Sequence, residues 1–133
     1  MLEIQQVDHI GIRVTDEATA LAFYRQLGFE VTFRAEGAPV VIARNAQGVE
    51  INFIVNGAPP PEGKNVLMDV ADKHPGYTHV ALRVASMDRT IAELESLGIE
   101  TTEGPIRLGS GVSVFIRDPD RNVIELREHD ARG

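Results

Sequence analysis

Residues 7–14, VDHIGIRV, recur seventy positions later as residues 77–84, YTHVALRV. In both copies, apolar residues alternate with a histidine, a small residue and an arginine, which is the pattern of a strand with one apolar face. The match continues without a gap from residues 7–32 to residues 77–102, with eight identical pairs in 26 positions. The chain therefore predicts two copies of one supersecondary unit.

A helix is expected after each repeated strand. Asp16 and Ser86 are residue types that cap helix N-termini, because their side chains accept hydrogen bonds from the first turn. Gly28 and Gly98 stand where a helix commonly ends on a left-handed residue. The same start and stop signals at the same spacing predict one amphipathic helix in each copy.

Three strands complete each copy. The first of them is expected to begin at Phe29 and at Ile99, directly after the two glycines. The other two alternate in polarity on either side of a turn, at residues 45–48 in the first copy and at residues 118–122 in the second. The predicted fold class is therefore α+β, with two tandem βαβββ modules.

The predicted boundaries describe one domain over residues 1–133. Module 1 covers about residues 4–56, a connector about 57–76, and module 2 about 77–129. The connector begins with three prolines, which favour extended backbone, and its apolar stretch NVLMDV is expected to form a short helix or a lid.

Composition narrows the chemistry that the chain can perform. Hydrophobic residues make up 43% of the sequence and charged residues 25%, which is typical of a globular domain with a real core. A formal net charge of -7 argues against nucleic acid as a partner. No membrane span or secretion signal is evident, so a cytoplasmic protein is expected. Because there is no cysteine, any metal must be held by histidine, carboxylate and water.

One histidine and one glutamate of each module are predicted to lie on the strand face opposite the helix: His9 and Glu50, then His79 and Glu125. Imidazole and carboxylate groups together suit a divalent first-row metal. Taken singly, such residues are more often a hydrogen-bonded histidine or a solvated glutamate. The recurrence of the pair in both modules favours a metal site.

The sequence does not decide the roles of several other polar residues. Arg13 and Arg83 are repeated as faithfully as the histidines, and either bind an anionic substrate or pair with nearby carboxylates. His74 lies in the connector and His129 in the C-terminal segment, and both are expected to be solvated.

Four stretches carry a resemblance to a known family: DHIGIRV (8–14), FYRQLGFEV (23–31), THVALRV (78–84) and IRDPDRNVIELRE (116–128). They resemble the vicinal oxygen chelate superfamily, also called the glyoxalase/bleomycin resistance/dioxygenase superfamily. The resemblance covers nearly the whole chain and implies that the two modules form an incomplete barrel around a metal groove. Arg121 departs from the pattern, since the family usually has glycine in that turn.

Within the superfamily, the sequence is most similar to glyoxalase I, the lactoylglutathione lyases. That branch implies the metal ligands His9, Glu50, His79 and Glu125, with Glu125 and Glu50 as the catalytic carboxylates. It also implies one divalent metal per site, which would be Ni, Zn, Co, Mn or Fe. A glutamate then removes and returns a proton next to a carbonyl, while the metal stabilises the negative charge on two adjacent oxygens.

The resemblance also implies a substrate site and an assembly. Arg13 matches a glutathione-contacting arginine, Arg107 is the basic residue of a loop-like stretch EGPIRLGSG, and Asn52 lies near the position of a glutathione-holding asparagine. The implied partners are a small-molecule substrate, such as a glutathione adduct, and a second copy of the chain in a homodimer. The metal site could form within one chain or between two.

Two other functions remain as alternatives. An extradiol ring-cleavage dioxygenase uses only three ligands, does not need Glu50, and would require an acid–base residue such as Tyr77 or His74. A non-catalytic small-molecule binding or resistance module would need no metal at all, which the four-ligand set argues against.

Overall fold

The computed structural model describes residues 1–131, which form two compact units that meet in sequence between Pro59 and Pro60. Each unit contains one helix and one four-stranded sheet. The order of elements is strand, helix and three strands in both units, so the prediction of an α+β fold with two βαβββ modules is confirmed. Neither sheet closes into a barrel by itself.

The first unit follows this order over residues 10–54. Its sheet has the order β1-β4-β3-β2, in which β1 runs parallel to β4 and the other neighbours are antiparallel. Parallel pairing places the start of the module directly beside its end. The elements are β1 (Ile10–Arg13), α1 (Glu17–Gln26), β2 (Glu30–Arg34), β3 (Val40–Arg44) and β4 (Glu50–Ile54).

Aromatic packing forms the centre of the first unit. The ring of Tyr24 on α1 lies edge-on to Phe53 on β4, with 4.8 Å between centroids, and contacts Phe29 at 6.2 Å. The helix begins as predicted, because the Asp16 carboxylate accepts the backbone N–H of Thr19 at 2.9 Å. Burial of this apolar face against the sheet holds the helix in place.

The second unit repeats the arrangement over residues 79–129. Its sheet has the order β5-β8-β7-β6, again with the first strand parallel to the last. A short 3-10 turn at Pro61–Gly63 precedes it. The elements are β5 (His79–Arg83), α2 (Met87–Leu97), β6 (Glu103–Leu108), β7 (Gly111–Arg117) and β8 (Val123–His129). No helix within residues 1–131 is long and apolar enough to cross a membrane.

In the second unit, one predicted strand start is wrong, and so is the helix alternative for the connector, whereas the lid alternative stays a prediction. The strand expected from Ile99 begins at Glu103, because the N–H of Ile99 donates to the Leu94 carbonyl at 2.9 Å and closes the helix end after the left-handed Gly98. The apolar connector stretch at residues 65–70 forms turns and no helix. The Asn65 side chain accepts the N–H groups of Leu67 and Met68, and its carbonyl accepts from Asp69, so the segment forms one isolated turn.

The connector is fastened to the turn between β7 and β8. The Asp69 carboxylate accepts two hydrogen bonds from the Arg117 guanidinium, each 2.9 Å long. Asn65 donates to the carbonyl of Arg121 at 3.2 Å, and Arg121 has a φ of 68°, which explains why glycine is usual at this point. The hydrogen bonds from Arg117 lower the pKa of Asp69 to about 2, from an ordinary value of 3.8.

Replacing Asp69 with Asn tests this contact. A carboxyl whose pKa is lowered by folding stabilises the protein above the unfolded value, near pH 4, and loses that contribution as the pH falls toward 2. We expect Asp69→Asn to lower the free energy of unfolding by about 1–2 kcal/mol at pH 7. The difference should shrink between pH 4 and pH 2 in urea titrations. Asp72→Asn, at an exposed position of the same segment, serves as the control.

Candidate metal centre

In the first unit, His9 stands immediately before β1 with an exposed ring. Its Nδ1 lies 2.7 Å from the Oδ2 of Asp8, so the carboxylate fixes the orientation of the ring. Ligand atoms of Asp8, His9 and Glu50 all lie within 4.8 Å of one another. The structure therefore brings His9 and Glu50 together as predicted, and adds Asp8, which the sequence analysis passed over although it directly precedes the histidine.

Glu50 already has a cationic partner. Its Oε1 lies 2.7 Å from Nη2 and 3.0 Å from Nε of Arg44, the residue opposite it on β3. Only 13% of the Glu50 side chain is exposed, so this ion pair is largely removed from water. The Glu50 charge is therefore compensated within the sheet, without a metal.

In the second unit, His79 and Glu125 form a direct contact. The Nε2 of His79 lies 3.0 Å from the Oε1 of Glu125, and Thr78 Oγ1 lies 2.9 Å from the other ring nitrogen. The other carboxylate oxygen of Glu125 accepts a 2.6 Å hydrogen bond from Ser113. Glu125 is only 7% exposed, although carboxylates are rarely buried. Both histidines thus have a polar side chain of the preceding residue on Nδ1.

Strand register shows that the two glutamates are not equivalent. Glu125 on β8 lies beside Ala81, two residues after His79. The residue beside Gly11, two residues after His9, is Asn52. Asn52 therefore occupies the position in the first unit that Glu125 occupies in the second, and Glu50 lies two residues earlier on the same face.

The hydrogen bonds of the Asn52 side chain are incomplete. Its Oδ1 is buried and has no hydrogen-bond partner within residues 1–131. The neighbouring position is Gly11, where a side chain would meet only the tip of Ile54, at 4.0 Å. An unpaired buried acceptor beside open space is a costly arrangement that a bound molecule could relieve.

The other predicted substrate residues lie on the protein surface. Arg13 donates from Nε to the Asn56 side chain at 3.1 Å. Arg107 lies on β6, where a loop had been expected, and pairs with Asp130 at 2.9 and 3.0 Å. The predictions that His74 and His129 are exposed agree with the structure.

The donor chemistry of these residues fits a divalent first-row metal. Each unit presents one imidazole nitrogen and nearby carboxylate oxygen, and the Nδ1 atoms of both histidines already have partners. A histidine whose second nitrogen is hydrogen-bonded is the usual arrangement for a metal ligand. His9 in the first unit, and His79 with Glu125 in the second, therefore have the donor atoms that such an ion prefers, which are Nε2 and carboxylate oxygen.

The fold and the site together define a class of protein. Its members have two βαβββ modules with His and Glu on their sheet faces, and they bind or convert small molecules. The model of the Glyoxalase/Bleomycin resistance protein/Dioxygenase superfamily matches residues 6–126. The chain therefore belongs to this superfamily, as the sequence motifs indicated. Members commonly use a divalent metal, although some bind small molecules without any reaction.

Several individual proteins are similar to this chain over nearly its whole length. The chain is similar to the uncharacterized protein YwkD of Bacillus subtilis, with 31% identity over 94% of this chain and 98% of that protein. The solved structure of SMU.1112c has a TM-score of 0.76 and 25% identity, covering 95% of this chain and 100% of that one. TnmS3, an antibiotic binding protein from Streptomyces sp. CB03234, has a TM-score of 0.72 and 20% identity, covering 98% and 100%, which shows a shared fold alone.

The unsatisfied amide of Asn52 leads to a stability prediction. Replacing Asn52 with Leu removes a buried acceptor that has no partner, so we expect the free energy of unfolding to rise by about 1–2 kcal/mol. Urea denaturation at pH 7 measures the change. The same replacement at Asn56, whose oxygen accepts from Arg13, should give no gain. Equal effects at both sites would contradict the interpretation.

Proposed function

We propose that the chain is a divalent-metal-dependent enzyme that acts on a small molecule with two adjacent oxygen atoms. His9, His79 and Glu125 are the proposed metal ligands. The observation that carries this proposal is the His79–Glu125 pair, in which a nearly buried carboxylate has one oxygen bound by Ser113 and the other turned toward a histidine ring.

A purely structural role explains the His79–Glu125 pair less well than a metal site does. Burying a carboxylate removes it from water, and one hydroxyl with one imidazole ring replaces few of its hydrogen bonds to water. A cation between imidazole and carboxylate compensates much more, and divalent first-row metals bind these two ligand types. The proposal therefore explains why the chain buries an acidic group in the middle of a strand.

The chemistry of the site follows from its groups. A bound divalent ion would stabilise the negative charge that develops on two adjacent substrate oxygens. Glu125 would exchange a proton with the substrate through Oε1, the carboxylate oxygen that Ser113 does not bind. Burial of Glu125 keeps bulk water away from that oxygen.

The first candidate reaction is that of a lactoylglutathione lyase. The substrate would be the adduct of glutathione with a 2-oxoaldehyde, in which one carbon bears sulfur, hydroxyl and hydrogen. Glu125 would accept the proton from that carbon and return it to the neighbouring carbonyl carbon, while the hydroxyl proton moves to the neighbouring oxygen, which leaves a thioester beside a new hydroxyl. Arg13 would contact a glutathione carboxylate, and Arg107 could do so once it releases Asp130.

The second candidate is an extradiol-type dioxygenase, and a specific observation favours it. Asn52 stands where a fourth carboxylate would correspond to Glu125, and Glu50 is paired with Arg44. Three protein ligands leave more positions for substrate and dioxygen. Tyr77 is fully exposed and available as an acid–base residue.

Metal binding tests the ligand set directly. We expect His9→Ala, His79→Ala and Glu125→Gln each to weaken the binding of Ni²⁺, Zn²⁺ or Fe²⁺ by more than about 100-fold, since each removes a direct ligand. Glu50→Gln should change the affinity by less than about threefold. Calorimetric titration of metal-free protein gives affinity and the number of ions per chain, and gel filtration tests the proposed homodimer. A loss in Glu50→Gln as large as that in His79→Ala would restore the four-ligand set.

Activity distinguishes the candidate reactions. The nickel or zinc form is tested for isomerisation of the methylglyoxal–glutathione adduct, and the iron form for ring cleavage of catechols with dioxygen. Whichever reaction proceeds, we expect Glu125→Gln to lower kcat by about 100- to 10,000-fold. If metal-loaded protein turns over neither substrate class but binds small molecules, the chain is a binding module.

A further inference from the structure

We propose that Ser113 is a positioning residue that holds the carboxylate of Glu125, and that Arg127 orients the Ser113 hydroxyl for this purpose. The inference rests on the proposed function, because it assigns the two residues a role toward the metal ligand Glu125. Neither residue was singled out by the sequence analysis, since neither is a typical ligand.

The contacts form one continuous path through the second unit. Ser113 lies on β7, is fully buried, and donates from Oγ to Oε2 of Glu125 at 2.6 Å. Arg127, two residues after Glu125 on β8, donates from Nη1 to the Ser113 oxygen at 3.2 Å. The remaining carboxylate oxygen, Oε1, lies 3.0 Å from His79.

The direction of these hydrogen bonds is determined by chemistry. A guanidinium can only donate, so the Ser113 oxygen must accept from Arg127. The hydroxyl has a single hydrogen, which is then free to point at Glu125. A carboxylate rotates easily about its terminal torsion, and a donor on one oxygen removes that freedom. The other oxygen is therefore presented in one orientation to a ligand.

The backbone makes room for Arg127 to reach this position. Gly111 begins β7, and a Cβ atom there would lie 3.1 Å from the Arg127 guanidinium carbon and 2.5 Å from the Glu128 carbonyl oxygen. The other end of the guanidinium donates to the Leu108 carbonyl. The arginine is thus fixed at both ends, which keeps its contact to Ser113 in place.

The first unit provides an internal comparison. Register aligns Asn52 with Glu125, and by the same alignment Val40 stands for Ser113 and Ile54 for Arg127. Where the carboxylate is replaced by an amide, the hydroxyl and the guanidinium are both replaced by aliphatic side chains. The carboxylate, the hydroxyl and the guanidinium occur together in the second unit, and all three are missing from the corresponding positions of the first. This indicates that Ser113 and Arg127 support the Glu125 carboxylate and are not required by the sheet.

Metal affinity measures the positioning role without any assay of turnover. We expect Ser113→Ala to weaken metal binding by about 10- to 100-fold, the usual effect of removing a residue that supports a ligand. Ser113→Thr, which keeps the hydroxyl, should bind within about threefold of the unsubstituted chain. Thr102→Val is the matched control, because it removes a hydroxyl that donates to the β7 carbonyl of Phe115 and leaves Glu125 untouched.

A second variant tests the same positioning role in case Ser113→Ala does not fold. Arg127→Met leaves the hydroxyl in place but frees its orientation, so we expect a smaller loss, of about three- to tenfold. If Ser113→Ala and Arg127→Met bind metal as tightly as Thr102→Val, the positioning role is wrong while the metal site stands. If the unsubstituted chain binds no divalent metal, the proposed function and this inference are both overturned.

Discussion

The parallel pairing of the first and last strands of each module is the constraint on which the polar cluster of each unit depends. It places the histidine that opens a module beside the strand that ends it, although 46 positions separate His79 from Glu125. Antiparallel hairpins alone would pair only neighbours in sequence, whereas the helix between the strands provides the crossover that parallel pairing needs. The same pairing in the first unit brings His9 close to Glu50 and Gly11 beside Asn52.

The two modules share this framework but differ in how their polar groups are satisfied. In the second unit, each oxygen of Glu125 has a partner, and the Ser113 hydroxyl that holds it is held in turn. In the first unit, the corresponding amide of Asn52 has a buried oxygen for which the described part of the chain, residues 1–131, provides no partner. A network in which every polar group is hydrogen-bonded makes a site rigid. An unsatisfied buried group lowers the stability of the folded chain, and such a loss is common at sites that bind a ligand.

Much of the fold could be predicted from the sequence because its signals are local. Helix caps at Asp16 and Ser86 and alternating apolar residues depend on neighbours within a few positions. The register between distant strands is not local, and side-chain alternation has a period of two. Glu50 and Asn52 therefore lie on the same face, and alternation alone could not decide which of them corresponds to Glu125. The neighbouring buried residues do decide it. Asn52 lies between Ile51 and Phe53, as Glu125 lies between Ile124 and Leu126, so Asn52 is the counterpart of Glu125.

Identity between the two copies indicates the fold and the histidines His9 and His79, but not the groups around Glu125. Gly28 and Gly98 both take positive φ values after a helix, so this repeated pair is explained by backbone geometry. Ser113 differs from its counterpart Val40, and yet it contacts the buried carboxylate directly. A duplicated module first preserves what both copies need to fold. Some positions at which the copies differ, such as Val40 and Ser113, are then those where one unit has a contact that the other lacks.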